Sequence, residues 1–111
     1  MVETRYGAVR GFAENGVQIF KGIPYGGSTA GSGRFMPPRP PAPWAGVRET
    51  VTLGPSAPAA FGTAADTMNN PDIMAMIDGA AEYVPSSEDC LALNVWTLGA
   101  DPTAKRPVMV W

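Results

Sequence analysis

The sequence lacks histidine altogether, and this absence limits the chemistry that its 111 residues can perform. Mechanisms of the Ser-His-Asp and Cys-His type need an imidazole that takes the proton from the nucleophile. Cysteine is nearly absent as well: Cys90 is the only one, so an internal disulfide is excluded and a structural zinc site is not expected. We therefore expect that the chain binds no cofactor and no metal, and that it contains no catalytic residue of a Ser-His-Asp or Cys-His mechanism.

Charged residues are also scarce, at 16% of the chain, and the net charge is −2. Because no cluster of lysine and arginine is present to neutralise phosphates, we predict that the chain does not bind nucleic acid. No apolar run approaches the roughly 20 residues that cross a bilayer. The start of the chain also has no signal peptide with a charged and then an apolar region. These features predict a cytoplasmic protein that does not enter a membrane.

Two apolar segments in the last quarter of the chain are the strongest structural signal. In the part 90–96 of the segment 86–96, leucine and valine occupy one face of a predicted strand, and Asn94 is the only strongly polar residue on the other face. A strand of this composition is predicted to be buried on both faces, as in a covered sheet. The run 107–111 is wholly apolar and predicts a second strand. Because the sequence stops inside this run, we expect a longer protein of which this chain is the front part.

Shorter strands are predicted nearer the start. Residues 2–12 alternate loosely in polarity, and they are followed by Asn15-Gly16, a dipeptide typical of tight hairpin turns. The segment 17–21 (Val-Gln-Ile-Phe-Lys) then predicts the second strand of an antiparallel hairpin. A further short strand is predicted between Val47 and Leu53.

One amphipathic helix is predicted between two prolines. Asn70 can cap its amino end, Pro71 suits the first helical position, and Pro85 ends it. Its apolar residues recur at helical spacing and form one stripe: Ile73, Met76, Ile77, Ala80 and Val84. Such a stripe could bind a partner, but packing on the chain's own domain is its more common use and is what we predict.

Two loop segments admit both a functional and a structural interpretation. Residues 26–33 are rich in glycine, but they lack the Gly-Lys-Ser/Thr ending of a phosphate-binding loop, so a surface loop is predicted. Residues 34–44, which we call the proline-rich arm, contain Pro-Arg-Pro-Pro and could be a polyproline II ligand of an SH3-type groove. We favour an extended segment that lies on the chain's own surface, with Phe35 and Trp44 as its anchors.

The adjacent carboxylates Glu88 and Asp89 invite a catalytic or metal-binding interpretation. In a strand, neighbouring side chains point to opposite faces, so these two would not converge on one substrate. The spacing of Ser86 and Asp89 instead matches that of a capping motif. We therefore assign no catalytic role to this pair.

Several of these motifs, in this order, resemble the amino-terminal part of the type-B carboxylesterases, which are serine esterases of the α/β-hydrolase fold. The most specific are Ser-Glu-Asp-Cys-Leu-x-Leu-Asn-Val-Trp at 87–96 and Arg-Pro-Val-Met-Val-Trp at 106–111. Others are Tyr-Gly-x-Val-Arg-Gly at 6–11, Phe-Lys-Gly-Ile-Pro-Tyr-Gly at 20–26 and Arg-Phe-x-Pro-Pro at 34–38.

This resemblance implies an α/β fold class, as the amino-terminal portion of an α/β-hydrolase in which an antiparallel hairpin leads into central-sheet strands. Residues 1–111 would belong to one carboxylesterase domain without an internal boundary, and their partner would be the remainder of that domain. The implied activity is hydrolysis of small-molecule carboxylic esters through an acyl-serine intermediate. The family's oxyanion loop and catalytic triad are absent from these residues, so the chain alone is expected to be inactive.

The resemblance also implies a structural ion pair between Arg34 and Glu88, which we expect to be direct and largely buried. It would fasten the proline-rich arm to the entrance of the strand at 90–96. Many family members join the cysteine that corresponds to Cys90 to a second one in the preceding loop, but residues 54–59 contain none. Cys90 is therefore predicted to be a small buried residue.

Two other functions are left open by the sequence. The first is that of a catalytically inactive, esterase-like binding or adhesion protein, since some similar proteins keep the fold without the catalytic serine. The second is a free-standing interaction module with residues 38–44 as its binding strip.

Overall fold

The computed structural model describes residues 1–58, 84–101 and 103–111. The helix predicted between Asn70 and Pro85 falls outside these ranges, apart from its last stripe residue, Val84. The described elements are β1 (Val2–Thr4), β2 (Gly7–Arg10), β3 (Phe12–Glu14), β4 (Val17–Pro24), a 3-10 turn (Gly31–Gly33), β5 (Val47–Glu49) and β6 (Ala92–Thr97). Within these ranges, no helix has the length and apolar character needed to span a membrane.

The strands form two small sheets. In the first, β2 lies between β1, to which it is antiparallel, and β5, to which it is parallel. In the second, β4 lies between β3 and β6 and is antiparallel to both. The outer strands β1, β3 and β5 have three residues each and all carry charge, whereas β6 has six residues and none. Among the described residues, no strand pairs with the outer edge of β6.

The hairpin predicted at Asn15-Gly16 is confirmed. β3 and β4 pair in register up to Glu14 and Val17, so the two turn residues connect them directly. Their φ angles are +49° and +79°, as a type I′ turn requires. Because this turn has the same sense of twist as the strands that it joins, the local sequence is sufficient to specify it.

The single alternating segment predicted at 2–12 is instead divided into three strands. Its first break is a tight turn in which the Thr4 hydroxyl accepts hydrogen bonds from the backbone of Tyr6 and Gly7, both at 3.2 Å. The same hydroxyl donates to the carbonyl of Gly7 at 2.7 Å. The second break is Gly11, where the chain passes from the first sheet to the second.

Gly11 lies directly against the backbone of β4. A Cβ at this position would be 2.0 Å from the carbonyl oxygen of Ile19 and 2.8 Å from Cδ1 of Phe20. Only glycine allows this approach, which brings β2 and β4 together. The small core lies at this contact and contains Ala8 and Val9 of β2 and Ile19 and Phe20 of β4.

Thr50 is the one buried polar residue of the described core. Its hydroxyl and its backbone N–H both donate to the carbonyl oxygen of Arg10, at 2.9 and 2.7 Å. Its own carbonyl accepts from the N–H of Lys21 in β4 at 2.8 Å. The segment after β5 therefore bridges the two sheets. The strand predicted at Val47 to Leu53 is confirmed only as far as Glu49, because the chain turns to make this bridge.

β6 confirms the strand predicted in the segment ending at Trp96, but the expectation that it would be buried on both faces is wrong for this chain. Leu93, Val95 and Trp96 are all exposed. The strand predicted at 107–111 is not formed either, and its side chains from Val108 to the end of the chain are exposed. A strand needs a neighbour for its backbone hydrogen bonds, and none of the described residues pairs with this run.

A local turn follows β6 at Asp101. Its Oδ1 accepts hydrogen bonds from the hydroxyl of Thr103 at 2.7 Å and from its backbone N–H at 2.8 Å. These two bonds favour the ionised carboxylate, and they hold the pKa of Asp101 below its ordinary value, with the hydroxyl making the larger contribution.

The Thr103→Val variant tests this arrangement, because it removes the hydroxyl and keeps the backbone donor. We expect the pKa of Asp101, followed by the carboxyl ¹³C shift in NMR, to rise towards its ordinary value. Since the pKa is lowered in the folded turn, the turn is favoured at neutral pH, and this contribution is lost as the pH falls through that pKa. An unchanged pKa would contradict the role of the hydroxyl.

Candidate functional site: the Arg34–Glu88 ion pair

Arg34 is placed by the short 3-10 turn that precedes it. The backbone N–H of Gly33 donates to Ala30 at 2.9 Å, and that of Arg34 donates to Gly31 at 3.2 Å. Gly31 has a φ of +55°, which a glycine adopts without strain. The loop predicted at 26–33 therefore contains an ordered turn, which fixes the backbone position of Arg34.

Glu88 is held by contacts to the loop that follows β4. The hydroxyl of Thr29 donates to the backbone carbonyl of Glu88. Three residues later, the carbonyl of Leu91 accepts from the N–H of Tyr25 at 3.0 Å. The two segments that carry the ion pair are thus joined through their backbones, independently of the charges.

The structure brings the two predicted side chains together. Nε of Arg34 lies 3.0 Å from Oε1 of Glu88. The expectation of a largely buried pair is wrong for this chain, because the two side chains are 57% and 39% exposed. The exposure follows from position, because the 3-10 turn and the segment before β6 meet at the surface.

The anchors of the proline-rich arm differ from the prediction at one end. Trp44 is an anchor: its indole N–H donates to the carbonyl of Ala8 at 2.9 Å, and the guanidinium of Arg48 lies 4.4 Å from its ring centroid. Phe35 is not an anchor, since it is 99% exposed and has a φ of +56°. With this backbone conformation its side chain points away from the core, and its ring is near the Arg34 guanidinium, at 5.8 Å.

The middle of the arm lies along the chain's own surface, as predicted. The N–H of Gly27 donates to the carbonyl of Arg39 at 2.8 Å, and Pro41 is buried. A proline-rich segment that is fixed in this way is not presented as a free polyproline II ligand. The structure therefore favours the predicted packing role over binding to an SH3-type groove.

An open cavity of about 300 Å³ adjoins the ion pair. Its lining residues are Thr29, Arg34, Phe35, Pro58, Glu88 and Cys90. Cys90 is only half-buried, not fully buried as predicted, and it is a free thiol. The cavity contains no imidazole that could activate this thiol or the hydroxyl of Thr29, and no three potential metal ligands cluster anywhere in the described ranges.

Two residues near Glu88 differ from their predicted roles. The N–H of Asp89 bonds to the hydroxyl of Ser87, at 3.1 Å, rather than to Ser86. Ser86 instead forms an isolated bridge with Ser56. The capping-type spacing was therefore a correct signal of a turn, but the wrong serine was assigned to it.

One structural residue had a signal in the sequence that was not interpreted. Asn94 is the only strongly polar residue in an apolar strand, and its Oδ1 accepts a hydrogen bond from the N–H of Gly22 in β4 at 2.9 Å. The glycine could not be connected with it from the sequence, since the two residues are separated by seventy-two positions.

Comparison with known proteins agrees with the resemblance seen in the motifs. The family model described as "Carboxylesterase family" matches residues 1–111. The chain is 37% identical to the phenmedipham hydrolase of Pseudarthrobacter oxydans and 36% identical to the para-nitrobenzyl esterase of Bacillus subtilis, in both cases over the whole chain and 20% of the relative. The chain thus spans about a fifth of the length of the curated relatives that it matches.

Solved structures give the same result. A carboxylesterase of Geobacillus stearothermophilus aligns with a TM-score of 0.66 and 39% identity, over 90% of this chain and 16% of that one. An esterase of Clostridium hathewayi aligns with a TM-score of 0.67 and 34% identity, over 96% of this chain and 19% of that one. The chain therefore belongs to the carboxylesterase family and has the fold of the amino-terminal portion of an α/β-hydrolase.

Proposed function

We propose that this chain serves as scaffold in a serine carboxylesterase, which hydrolyses small-molecule carboxylic esters through an acyl-serine intermediate. The observation that carries the proposal is the match of the family model to every residue of the chain. The geometry supports a scaffold role, because Arg34 and Glu88 join two surface segments, and the chain has no histidine that could activate a nucleophile. The catalytic serine, its base and the oxyanion donors would be supplied by the remainder of the hydrolase domain.

A chimera tests this proposal. Residues 1–111 would replace the matching segment of the Bacillus subtilis para-nitrobenzyl esterase, and we call this protein the chimeric esterase. We expect it to hydrolyse a para-nitrobenzyl ester, whereas the isolated chain and the host without the segment should do so no faster than buffer. A chimera that folds but is inactive, or an isolated chain with turnover of its own, would contradict the proposal. A chimera that folds but is inactive would favour an inactive, esterase-like binding protein.

We further propose that the protein is cytoplasmic, as the sequence predicts. The support for this is Cys90, a free thiol without another cysteine in the chain to pair with. Fractionation of cells that produce the protein, followed by thiol labelling, is the test. Recovery in a secreted fraction with Cys90 oxidised would contradict it.

The exposure of the Arg34–Glu88 pair leads to a quantitative prediction. In a double-mutant cycle with Arg34→Met and Glu88→Gln in the chimeric esterase, we expect a coupling free energy of about 0–1 kcal/mol, as for other exposed pairs. The matched control is the pair Arg10–Glu49, which has a distance of 2.9 Å and side chains 56% and 55% exposed. Urea unfolding gives the four free energies of each cycle. A coupling of about 3 kcal/mol or more at Arg34–Glu88 alone would indicate a buried pair and contradict this expectation.

A further inference from the structure

β6 has a pattern of side chains that does not define its own register. Leu93 and Val95 occupy one face, and Ala92 and Trp96 occupy the other. A slip of one residue along a neighbouring strand exchanges the two faces of a strand. In most sheets this would move several polar side chains into the core. Here Asn94, on the face of Ala92 and Trp96, is the only strongly polar side chain of the strand. The hydrophobic pattern therefore discriminates poorly between the observed register and its neighbours.

The partner strand β4 contains an irregularity that distinguishes one register of β6 from its neighbours. Phe20 pairs with Val95 and Ile23 pairs with Leu93, so two residues of β4, Lys21 and Gly22, oppose the single residue Asn94. Gly22 has a φ of +70°, and a Cβ there would be 2.9 Å from the carbonyl oxygen of Thr52. The bulge is thus fixed at a position that only glycine can occupy.

At this bulge the backbone donors of β4 leave the regular ladder. The N–H of Lys21 donates to the carbonyl of Thr50 at 2.8 Å, away from β6. The N–H of Gly22 donates to Oδ1 of Asn94 at 2.9 Å. The amide of Asn94 is therefore the acceptor that β6 provides at the one place where the pairing of the two backbones is interrupted.

We propose that Asn94 determines the register of β6 on β4. In either register shifted by one residue, Leu93 or Val95 would oppose the bulge, and neither side chain has an acceptor for the N–H of Gly22. Only in the observed register does a side chain of β6 accept a hydrogen bond from that donor. The inference does not depend on the proposed function, because it concerns only how two described strands pair.

The register of β6 has consequences for the residues after it. A slip of one position moves the chain by about 3.3 Å and exchanges the faces of the strand. Residues 98–111 follow β6, so their position relative to β4 changes by the same amount. Asn94 is in this sense a positioning residue for the end of the chain.

Disulfide trapping in the full chain of 111 residues measures the register directly. Cys90→Ala removes the native thiol, and Gln18→Cys is then combined with either Thr97→Cys or Trp96→Cys. Gln18 opposes Thr97 in the observed register and Trp96 in a slipped one. With Asn94 present, we expect the first disulfide to exceed the second by about fivefold or more, the selectivity that one hydrogen bond provides.

Two substitutions at position 94 separate the acceptor from the shape of the side chain. Asn94→Leu removes the acceptor and keeps the size, so the ratio of the two disulfides should fall towards one, while their summed yield stays above that in urea. Asn94→Asp keeps an acceptor oxygen and should keep the ratio. The proposal is overturned by an unselective parent chain, by a Leu variant that remains selective, or by an Asp variant that is not. It is also overturned if the summed yield in the Leu variant falls to the urea level, because Asn94 would then be needed for docking.

Discussion

Gly11→Ala is expected to destabilise the chimeric esterase by about 3 kcal/mol, the largest effect of any single methyl group added to this chain. The new Cβ would lie 2.0 Å from the carbonyl oxygen of Ile19. That oxygen belongs to the backbone of β4, which is paired on both sides, so it cannot move aside without breaking the second sheet. The two sheets would separate at the contact between β2 and β4, where the small core lies.

Urea unfolding of the chimeric esterase measures this loss. The matched control is Gly31→Ala, because a Cβ at Gly31 meets no atom within 4 Å and the residue has a φ of +55°. The control should cost only the roughly 1–2 kcal/mol of placing alanine in a left-handed conformation. Gly11 is not among the glycines with positive φ, so this conformational cost does not apply to it. A loss at Gly11 well below that of the control would mean that the close approach carries no energetic weight.

The second large effect is expected at Gly7, on which the indole of Trp44 packs. A Cβ at Gly7 would be 2.5 Å from Nε1 of Trp44, so Gly7→Ala should displace the ring. The displaced ring loses its hydrogen bond to Ala8 and its contact with Arg48. We expect a loss of about 2 kcal/mol for Gly7→Ala and about 3 kcal/mol for Trp44→Ala.

The double variant shows whether these two losses share one cause. Once Trp44 is removed, the new methyl group at Gly7 has no ring to displace, so the combined loss should be at least about 1 kcal/mol smaller than the sum. The residual cost of Gly7→Ala is conformational, since its φ is +148°. Gly46→Ala is the control for that part, because Gly46 also has a positive φ but open space around it. Strict additivity would show that the glycine and the indole act independently.

A feature of the fold can be predicted from the sequence when the residues that determine it are close together along the chain. The turn at Asn15-Gly16 is determined by two adjacent residues, and it was predicted correctly. The break at Gly11 and the close approach of Trp44 to Gly7 depend on Ile19 and Trp44, which lie elsewhere in the chain. In the sequence these glycines are therefore indistinguishable from those of an ordinary flexible strand.

The same reasoning applies to the ion pair. The motifs that resemble the family identify Arg34 and Glu88 as partners, and the two side chains do meet at 3.0 Å. Their exposure could not be predicted, because burial is a property of everything that surrounds a residue. Phe35 illustrates the point: it was predicted to anchor the proline-rich arm, yet its left-handed backbone directs the ring into solvent.

The long, uncharged outer edge of β6 has a consequence for the biosynthesis of the chain. The three short outer strands carry charges, which discourage another extended chain from pairing with them. β6 has no such charges, and no strand among the described residues covers its outer edge. Its unpaired backbone groups and exposed apolar side chains can therefore pair with another extended segment. In a cell or in a refolding tube, the outcome is then a competition that depends on concentration. At low concentration the edge of β6 pairs within its own protein, whereas at high concentration it pairs with β6 of another chain.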